Sequence, residues 1–260
     1  MLFNLNNGGL ILHLFEDGVA KEWYYYLAYI GFVLITIVGA YLLGSVNSSI
    51  IISKILYRDD IRKHGSGNAG LTNMLRTYGK GAAGLTLLGD MLKTALAIIL
   101  AGVLFGFNYA GGVSIGDGFC YVAGLFAVLG HIFPVYYGFK GGKGVLATAT
   151  MALIVSPLPF LVLFTLFVII VAVSKYVSLG SVVSAVLYPV VLHGYFTLRF
   201  SEAEKSLPGL IAFSTIVLAI LIVWCHRGNL QRISNRTERK LSFKKKPTTE
   251  EGENENAEEK

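Results

Sequence analysis

Residues 158–174 read L-P-F-L-V-L-F-T-L-F-V-I-I-V-A-V-S, a run dominated by apolar residues that contains no charged side chain. A helix needs about 20 such residues, with a range of about 17–25, to cross a bilayer. The chain is 54% hydrophobic and 15% charged, whereas a soluble domain carries about 25% charged residues. Six further apolar stretches lie at 27–56, 82–107, 118–137, 144–156, 179–197 and 208–226. The sequence therefore predicts an all-α integral membrane protein, a bundle of about seven transmembrane helices.

Some members of this bundle are expected to be short or broken. The first stretch exceeds the length of one membrane helix, and Gly44 and Asn47 are predicted to break or tilt it. The fourth stretch is short, about 20 Å at 1.5 Å per residue. The sequence S-P-L-P at 156–159 follows it, and its two prolines favour a turn over a single helix through 144–174.

The formal net charge of +6 comes from basic residues in short loops and near the C-terminus, beside apolar stretches. Lysine and arginine concentrate in cytoplasmic loops, so this placement indicates membrane topology and no nucleic-acid partner. We expect three parts: an extracytoplasmic N-terminal extension (1–26), a membrane domain (27–231) and a basic, then acidic, disordered tail (232–260). With seven spans, the segments expected in the cytoplasm are 57–81, 138–143, 175–178 and the tail.

A first polar stretch, G-S-G-N-A-G-L-T-N-M-L-R, occupies residues 65–76 on the predicted cytoplasmic side. Its small residues allow tight turns that expose amides to an anion, and Ser66, Asn68 and Asn73 add neutral donors. Arg76 adds a planar fork that fits a phosphate group. An ordinary turn before a helix is the alternative. The stretch also fits G-x-G-x-x-G, but a dinucleotide site requires a preceding strand, and a charged loop precedes it here.

A second polar stretch, G-H-I-F-P-V-Y-Y-G-F-K-G-G-K-G, occupies residues 130–144. It departs from the phosphate-binding loop of nucleotide hydrolases, because Tyr137 and Gly144 stand where that loop has Gly and Ser or Thr. Lys143 nevertheless lies among glycines directly before an apolar stretch, so a cation, free amides and a helix N-terminus would meet one anion. The alternative is that Lys140 and Lys143 only follow the positive-inside rule.

Two further polar groups border the last apolar stretches. Ser178 and Ser181 open the sixth stretch, where they suit helix N-caps and ligand donors equally well. His226 and Asn229 leave the seventh stretch three residues apart, which places them on one face of a helix. If that face points inward, the pair adds two hydrogen-bonding groups to a phosphate site.

Ionisable residues also occur inside the apolar stretches. Asp90 and Lys93 are three residues apart in the second stretch, and charges at this depth are normally paired. We expect a structural ion pair, with a supporting role in the site as the alternative. His131 is expected to be a core histidine bonded to a backbone carbonyl.

Several patterns are missing from the sequence. No Ser–His–Asp arrangement is evident, and no histidine has an aspartate five residues on, the H-x-x-x-x-D pattern of many glycerolipid acyltransferases. Cys120 and Cys225 lie within apolar stretches as free thiols, without the histidine or carboxylate neighbours of a metal site. We therefore expect no metal and no cofactor, and a cationic site without an evident protein base.

These stretches closely resemble the bacterial acyl-phosphate:glycerol-3-phosphate acyltransferase family over roughly residues 28–235. The chain departs from the family pattern at Asn47 (often proline), Leu71 (often alanine), Thr94 (usually glycine) and an inserted Leu146. The matching motifs are G-S-G-N-x-G-x-T-N at 65–73, the whole stretch 130–144, S-L-G-S at 178–181, H-R-x-N at 226–229 and D-x-x-K at 90–93.

The resemblance implies an enzyme of the bacterial plasma membrane that transfers an acyl group from acyl-phosphate to the 1-hydroxyl of sn-glycerol 3-phosphate. Its products would be 1-acylglycerol 3-phosphate and phosphate, with membrane lipid around it and no obligate protein partner. The resemblance implies catalytic roles for Ser66, Arg76, Lys143 and His226, substrate binding by Asn68, Asn73, Gly142, Gly144, Ser181 and Asn229, and support from Asp90, Lys93 and His131.

The missing base suggests a hypothesis about the chemistry. A substrate phosphate, whose second pKa is about 6, would accept the proton of the attacking hydroxyl, so that the protein needs no catalytic carboxylate. A transporter or channel for a phosphorylated solute is the alternative from another class. The polar motifs on one predicted side of the membrane, and the lack of an internal repeat, favour the enzyme.

Overall fold

The structure is a computed structural model that describes Leu10 and residues 23–106, 115–199 and 209–241. The described residues form an all-helical bundle, as predicted from the sequence. In chain order its elements are α1 (Trp23–Ser45), α2 (Ser48–Tyr57), a 3-10 turn (Ile61–Lys63), α3 (Leu71–Phe105), α4 (Ile115–Ile132), a second 3-10 turn (Val135–Tyr137), α5 (Val145–Val155), α6 (Pro157–Ser174), α7 (Val177–Arg199) and α8 (Gly209–Ser234).

The lengths of these helices confirm the prediction of a membrane protein. The helix α5 has only 11 residues and rises about 16 Å, too little for a hydrocarbon core of about 30 Å. The bundle therefore contains the short member that the sequence predicts. In the described part of the chain, six segments are long and apolar enough to span a membrane: Tyr26–Tyr57, Leu71–Phe105, Gly116–Tyr137, Pro157–Ser174, Val177–Arg199 and Gly209–Ser234.

The first apolar stretch is divided at Asn47, which confirms the predicted break. Asn47 is the N-cap of α2, and its side-chain oxygen accepts a hydrogen bond from the amide of Ile50 at 3.1 Å. Its side-chain nitrogen donates to the carbonyl of Ala69 at 3.4 Å. Asn47 thus starts a helix and also contacts the loop that precedes α3.

The helix α3 begins at Leu71, eleven residues before the predicted start at 82. Arg76 and Lys80 lower the apolar content of these first turns, which hid them from a search for apolar runs. Gly79 has a φ of 85°, so the helix bends there before it enters the apolar part. A residue without a side chain tolerates this left-handed backbone.

The turn between α5 and α6 excludes the alternative of one helix over 144–174. Ser156 leaves the helical conformation, with φ −150° and ψ 66°, and Pro157 begins α6. The hydroxyl of Ser156 lies 3.0 Å from the hydroxyl of Tyr188 on α7, and both residues are buried. This contact fixes the turn within the core.

The helices α1 and α4 approach each other closely through glycines. A Cβ atom at Gly130 would overlap the carbonyl oxygen of Tyr41, and one at Gly44 would overlap the carbonyl oxygen of Ala127. Small residues let membrane helices pack backbone against backbone. This close contact places the end of α4 beside the break after α1, from which the loops of the site depart.

The structure corrects both ends of the predicted membrane domain. The helix α1 begins at Trp23, inside the predicted extension, and α8 continues to Ser234. Beyond it, the amide of Glu238 donates to the carbonyl of Arg232 at 3.1 Å, and the amide of Leu241 donates to Lys175 at 2.8 Å. The prediction that disorder begins at 232 is therefore wrong for residues 232–241. The rest of the predicted tail and most of the N-terminal extension lie outside the described residues.

The contact between α1 and α4 predicts the effect of adding one methyl group. We expect Gly130→Ala to lower the free energy of unfolding by about 1–3 kcal/mol, because backbone atoms on the facing helix cannot yield to the new Cβ. Thermal unfolding of purified protein in detergent measures the effect. Gly31→Ala is the matched control, because its Cβ would meet nothing within 4 Å. Equal unfolding midpoints for the two variants would contradict this account of the contact.

Candidate functional site

A cavity of about 770 Å³ opens between α3, α5, α6, α7 and α8. Two loops border it: the first loop (residues 58–70), which leads into α3, and the glycine loop (residues 133–144), which leads into α5. Gly142 and Lys93, both predicted for the site, are not among the residues that line it. The predicted residues that do line it are Ser66, Asn68, Asn73, Arg76, Asp90, His131, Lys143, Gly144, Ser181, His226 and Asn229.

Asn73 shapes the first loop from within. Its side-chain nitrogen donates to the carbonyls of Ile61, His64 and Asn68 at 2.9–3.2 Å, and its oxygen accepts from the amide of Ser66 at 3.0 Å. The buried amide of Asn73 thus has its hydrogens directed at the backbone of the first loop, and its predicted role in substrate binding stays a prediction. Its contribution is to hold Ser66, whose side chain is exposed, at the cavity.

Lys143 extends from the end of the glycine loop into the cavity. Its ammonium donates to the side-chain oxygen of Asn229 on α8. Burial lowers the pKa of Lys143, and the nearby carboxylate of Glu238 opposes that shift only in part. A half-buried cation with fewer waters interacts more strongly with an anion than a solvated one does. The geometry therefore favours an anion-binding role for Lys143 over a purely topological one.

Glu238 is a site residue that the sequence analysis missed. Its Oε1 accepts hydrogen bonds from Asn229 at 2.6 Å and Ser178 at 3.1 Å, and its Oε2 accepts from Arg232 at 2.7 Å. Burial alone would raise the pKa of this carboxyl, but the three hydrogen bonds outweigh burial and lower it. Glu238 is the only acidic residue between 227 and 247, and a single carboxylate among many basic residues is the sequence feature that could have indicated its role.

The amides of the glycine loop are used within the protein. Gly141 donates to Ile132 at 3.1 Å, and Gly142 donates to His131 at 3.0 Å. Gly142 therefore has no free amide for a substrate, and its predicted role in substrate binding stays a prediction. It must be glycine because a Cβ would overlap the ring of His131 and lie 2.8 Å from the carbonyl oxygen of Ala69.

Gly144 starts α5 with a left-handed backbone, at φ 79° and ψ −3°. It lines the cavity and is buried, and a Cβ there would clash with Val128 and Ile132 of α4. The first residues of α5, Val145 and Leu146, also line the cavity, and a helix N-terminus carries a partial positive charge. The structure confirms that Lys143 immediately precedes a helix N-terminus.

His226 and Asn229 lie on the face of α8 that lines the cavity, as their spacing predicts. The Nδ1 of His226 is 2.8 Å from the carbonyl oxygen of Ile222, one turn earlier on the same helix. A carbonyl only accepts hydrogen bonds, so Nδ1 carries the hydrogen, and the neutral ring keeps Nε2 as an acceptor. The histidine thus has a fixed tautomer beside the cations of the site.

Ser178 and Ser181 lie inside the first turns of α7, which begins at Val177. Of the two roles that the sequence left open for these serines, that of helix N-cap is therefore wrong. Ser181 donates to the carbonyl of Val177 at 2.9 Å, and Ser178 donates to Glu238. Both line the cavity, so their hydroxyls join the polar group formed by Lys143 and Asn229.

Asp90, Lys93 and His131 form a buried polar cluster next to the cavity. The ammonium of Lys93 lies 2.9 Å from Asp90 and 3.0 Å from the Nδ1 of His131, and it donates to the carbonyl of Val46 at 2.7 Å. The predicted ion pair is confirmed. The prediction that the His131 ring bonds a backbone carbonyl is wrong within the described residues, where the hydrogen bond of the ring is the one that its Nδ1 accepts from Lys93.

The lining of the cavity has a polar and an apolar part. Arg76, whose exposed guanidinium has Arg239 and Glu238 as its charged neighbours, lies with Lys143 in the polar part, here called the mouth. The other part of the lining is apolar, with side chains from α5, α6 and α7. This apolar branch is lined by Ala149, Ala152, Phe160, Leu163, Phe164 and Tyr188. The arrangement can hold phosphate groups at its mouth and a hydrocarbon chain inside.

Within the described residues, no group of three or more His, Cys, Asp and Glu side chains could hold a metal ion.

Comparison with known proteins agrees with this geometry. The family model described as glycerol-3-phosphate acyltransferase matches residues 34–236. A glycerol-3-phosphate acyltransferase of Halalkalibacterium halodurans is 40% identical over 216 residues, which cover 82% of this chain and 97% of the relative. The corresponding protein of Geobacillus kaustophilus is 42% identical over 204 residues, which cover 78% of this chain and 93% of the relative.

Two crystal structures of PlsY (YgiH), an integral membrane glycerol 3-phosphate acyltransferase, share the fold. The glycerol 3-phosphate form has a TM-score of 0.68 and 32% identity, covering 81% of this chain and 96% of that one. The lysophosphatidic acid form has a TM-score of 0.66 and 31% identity, covering 81% and 95%. On its sequence and its helical membrane fold, this chain belongs to the glycerol-3-phosphate acyltransferase family.

Proposed function

We propose that this chain transfers an acyl group from an acyl phosphate to the 1-hydroxyl of sn-glycerol 3-phosphate. The hydroxyl oxygen bonds to the acyl carbon, the bond between that carbon and the phosphate oxygen breaks, and the products are 1-acylglycerol 3-phosphate and phosphate. One observation carries the proposal: a single cavity joins a cationic, hydrogen-bonding mouth to an apolar branch. Family membership favours this enzyme over a transporter of phosphorylated solutes.

The residues at the mouth suit two phosphate-bearing substrates. Lys143 and Arg76 supply cations, and Ser66, Ser181 and Asn229 supply neutral groups around them. The planar fork of arginine accepts a phosphate in a bidentate way, whereas lysine acts as a compact point charge. The acyl chain of the donor would lie in the apolar branch, where water cannot compete for the activated carbonyl.

The chemistry makes small demands on the protein. An acyl phosphate is an activated mixed anhydride whose leaving group is already stable, so positioning and charge stabilisation supply much of the rate. The proton of the glycerol hydroxyl goes to a substrate phosphate in this proposal. The Nε2 of His226, which lines the cavity, is a competing acceptor, because its Nδ1 is committed to Ile222.

We further propose that the protein lies in a bacterial plasma membrane with the mouth of the cavity at the cytoplasmic face. The basic loops around the mouth support this orientation through the positive-inside rule.

Thiol labelling tests this orientation. In a variant without Cys120 and Cys225, we expect Lys63→Cys to react with a membrane-impermeant thiol reagent only in opened cells. Lys205→Cys, on the opposite side in this topology, should react in intact cells. The reverse pattern would contradict the orientation.

The activity itself is tested with purified protein in detergent, supplied with acyl phosphate and glycerol 3-phosphate. We expect phosphate release that depends on glycerol 3-phosphate, with no sealed membrane, which a transporter does not provide. Lys143→Ala should lower turnover roughly 10²–10³-fold, as loss of one charge-stabilising donor does. Lys140→Ala removes an exposed lysine from the same loop and should keep normal turnover. Equal activities of the two variants would exclude Lys143 from the site.

The pH dependence of kcat/KM should be bell-shaped, because this constant reports ionisations of the free enzyme and substrate. On the acid side, activity should fall as the substrate phosphate is protonated, near its second pKa of about 6. On the alkaline side, activity should fall as Lys143 loses its proton. Burial lowers the pKa of Lys143, so this loss should come below the ordinary lysine value of 10.5.

An acceptor that carries sulfate in place of phosphate is the control for the acid side. Sulfate is a weak base and does not titrate in this range, so the acid limb should disappear and turnover at saturation should be much slower. Equal turnover with the two acceptors would reject the acceptor phosphate as base. The role would then fall to the donor phosphate or to a protein group such as His226.

A further inference from the structure

Arg62 connects the two loops on which the phosphate-binding groups lie, although it does not line the cavity. Its Nη1 donates to the carbonyl of Tyr137 at 2.9 Å and lies 3.4 Å from the carbonyl of Lys140, both in the glycine loop. Among the described residues, no other side chain makes a hydrogen bond from one of these loops to the other. This guanidinium is therefore the direct hydrogen-bonding link between the loops, which also pack together where Gly142 meets the carbonyl of Ala69.

Asp60 holds the guanidinium in place. The Nε of Arg62 donates to both carboxylate oxygens of Asp60, at 3.0 and 3.2 Å, and its Nη2 donates to Oδ2 at 2.7 Å. The same carboxylate also accepts from the backbone amide of Arg62 at 3.0 Å. A forked pair of this kind fixes the plane of the arginine as well as its position. The side chains are 25% and 17% exposed, so water screens the pair only in part.

Each loop is anchored separately to its own helix. Asn73 of α3 organises the first loop, and Gly141 and Gly142 bond the glycine loop to the end of α4. These anchors set the shape of each loop, and Arg62 adds hydrogen bonds that run directly from one loop to the other. Two cations line the cavity next to these loops. Arg76 lies in α3, directly after the first loop, and Lys143 lies in the glycine loop.

We propose that Arg62, held by Asp60, is a positioning residue that keeps Lys143 in register with Arg76 and Ser66. The proposal rests on the proposed function, because it concerns the binding of phosphate-bearing substrates at that mouth. Arg62 touches no substrate in this account. It acts by holding the two halves of the phosphate site at the correct separation.

Loss of this contact should affect substrate binding more than turnover. Without Arg62, the substrate phosphates must bring the two loops together themselves, and this ordering weakens binding. Once bound, the phosphates bridge the loops and restore most of the alignment. KM should therefore rise while kcat at saturation changes little, a division that general unfolding of the protein would not produce.

The test uses the full-length protein in detergent. Arg62→Gln should raise the KM for glycerol 3-phosphate about tenfold or more, with kcat within about threefold of wild type, since small displacements have large effects on such sites. Lys63→Gln removes the same charge from the neighbouring exposed residue and should leave KM unchanged. Equal KM values for Arg62→Gln and Lys63→Gln would overturn the proposal. If Arg62→Gln does not fold, Arg62→Lys, which keeps the charge and loses the fork, replaces it.

Asp60 supplies a second, independent test. Asp60→Asn should raise KM in the same direction by a smaller factor, and the double variant should be no worse than Arg62→Gln alone. Groups that act through one contact are not additive. Additive effects would show that Asp60 acts by another route and would overturn its part in the proposal. The hydrogen bonds from Arg62 lower the pKa of Asp60 to about 2, so these ratios should stay constant from about pH 6 to pH 9.

Hydrogen–deuterium exchange separates this proposal from the proposed function. In Arg62→Gln, amides in residues 135–143 should exchange faster than in wild type and in Lys63→Gln, because the glycine loop has lost its link to the first loop. Faster exchange in a protein without acyltransferase activity would uphold the link and reject the function. Unchanged exchange would overturn the link even in an active enzyme.

Discussion

The ammonium of Lys93 is the interaction on which the arrangement of the site depends. It has three hydrogens, and they are directed at Asp90 on its own helix, the carbonyl of Val46 at the break after α1, and His131 near the end of α4. A charge in the membrane interior is tolerated only when it is paired in this way. One buried side chain therefore ties together the three helical segments from which the first loop and the glycine loop depart.

Further hydrogen bonds connect the three segments around Lys93 to the two loops that border the cavity. The carbonyl of His131 holds Gly142, and Lys143 follows as the next residue. On the opposite side, Asn47 starts α2 and also contacts Ala69, close to the point where α3 begins. Polar residues that lie far apart in the sequence thus form one network of hydrogen bonds. Many of their donors and acceptors are engaged within this network and are not free for a ligand.

Most of the polar residues that the sequence indicates line one cavity, and the sequence could point to them because polar residues are conspicuous among apolar helices. It could not distinguish free groups from engaged ones. The amide of Gly142 looks available in the sequence, but its partner is the carbonyl of a residue eleven positions earlier. Glu238 was assigned to a disordered tail, because its place depends on a chain reversal after α8 that no local pattern indicates. The inserted Leu146 lies in the first turn of α5 and faces the cavity, so the short helix accommodates it without losing its start after Gly144.

Glu238 also explains how so many cations can lie together at the edge of a membrane. Lys143, Arg76, Arg232 and Arg239 border one cavity, and like charges at short range disfavour one another. A single carboxylate bonded to Asn229 and Arg232 offsets part of this repulsion and lies close enough to raise the pKa of Lys143 against the effect of burial. A phosphate group entering the mouth meets positively charged groups that are already held in position. The protein therefore does not have to assemble those charges during binding, and this preorganisation is what an electrostatic site needs to act on a developing charge.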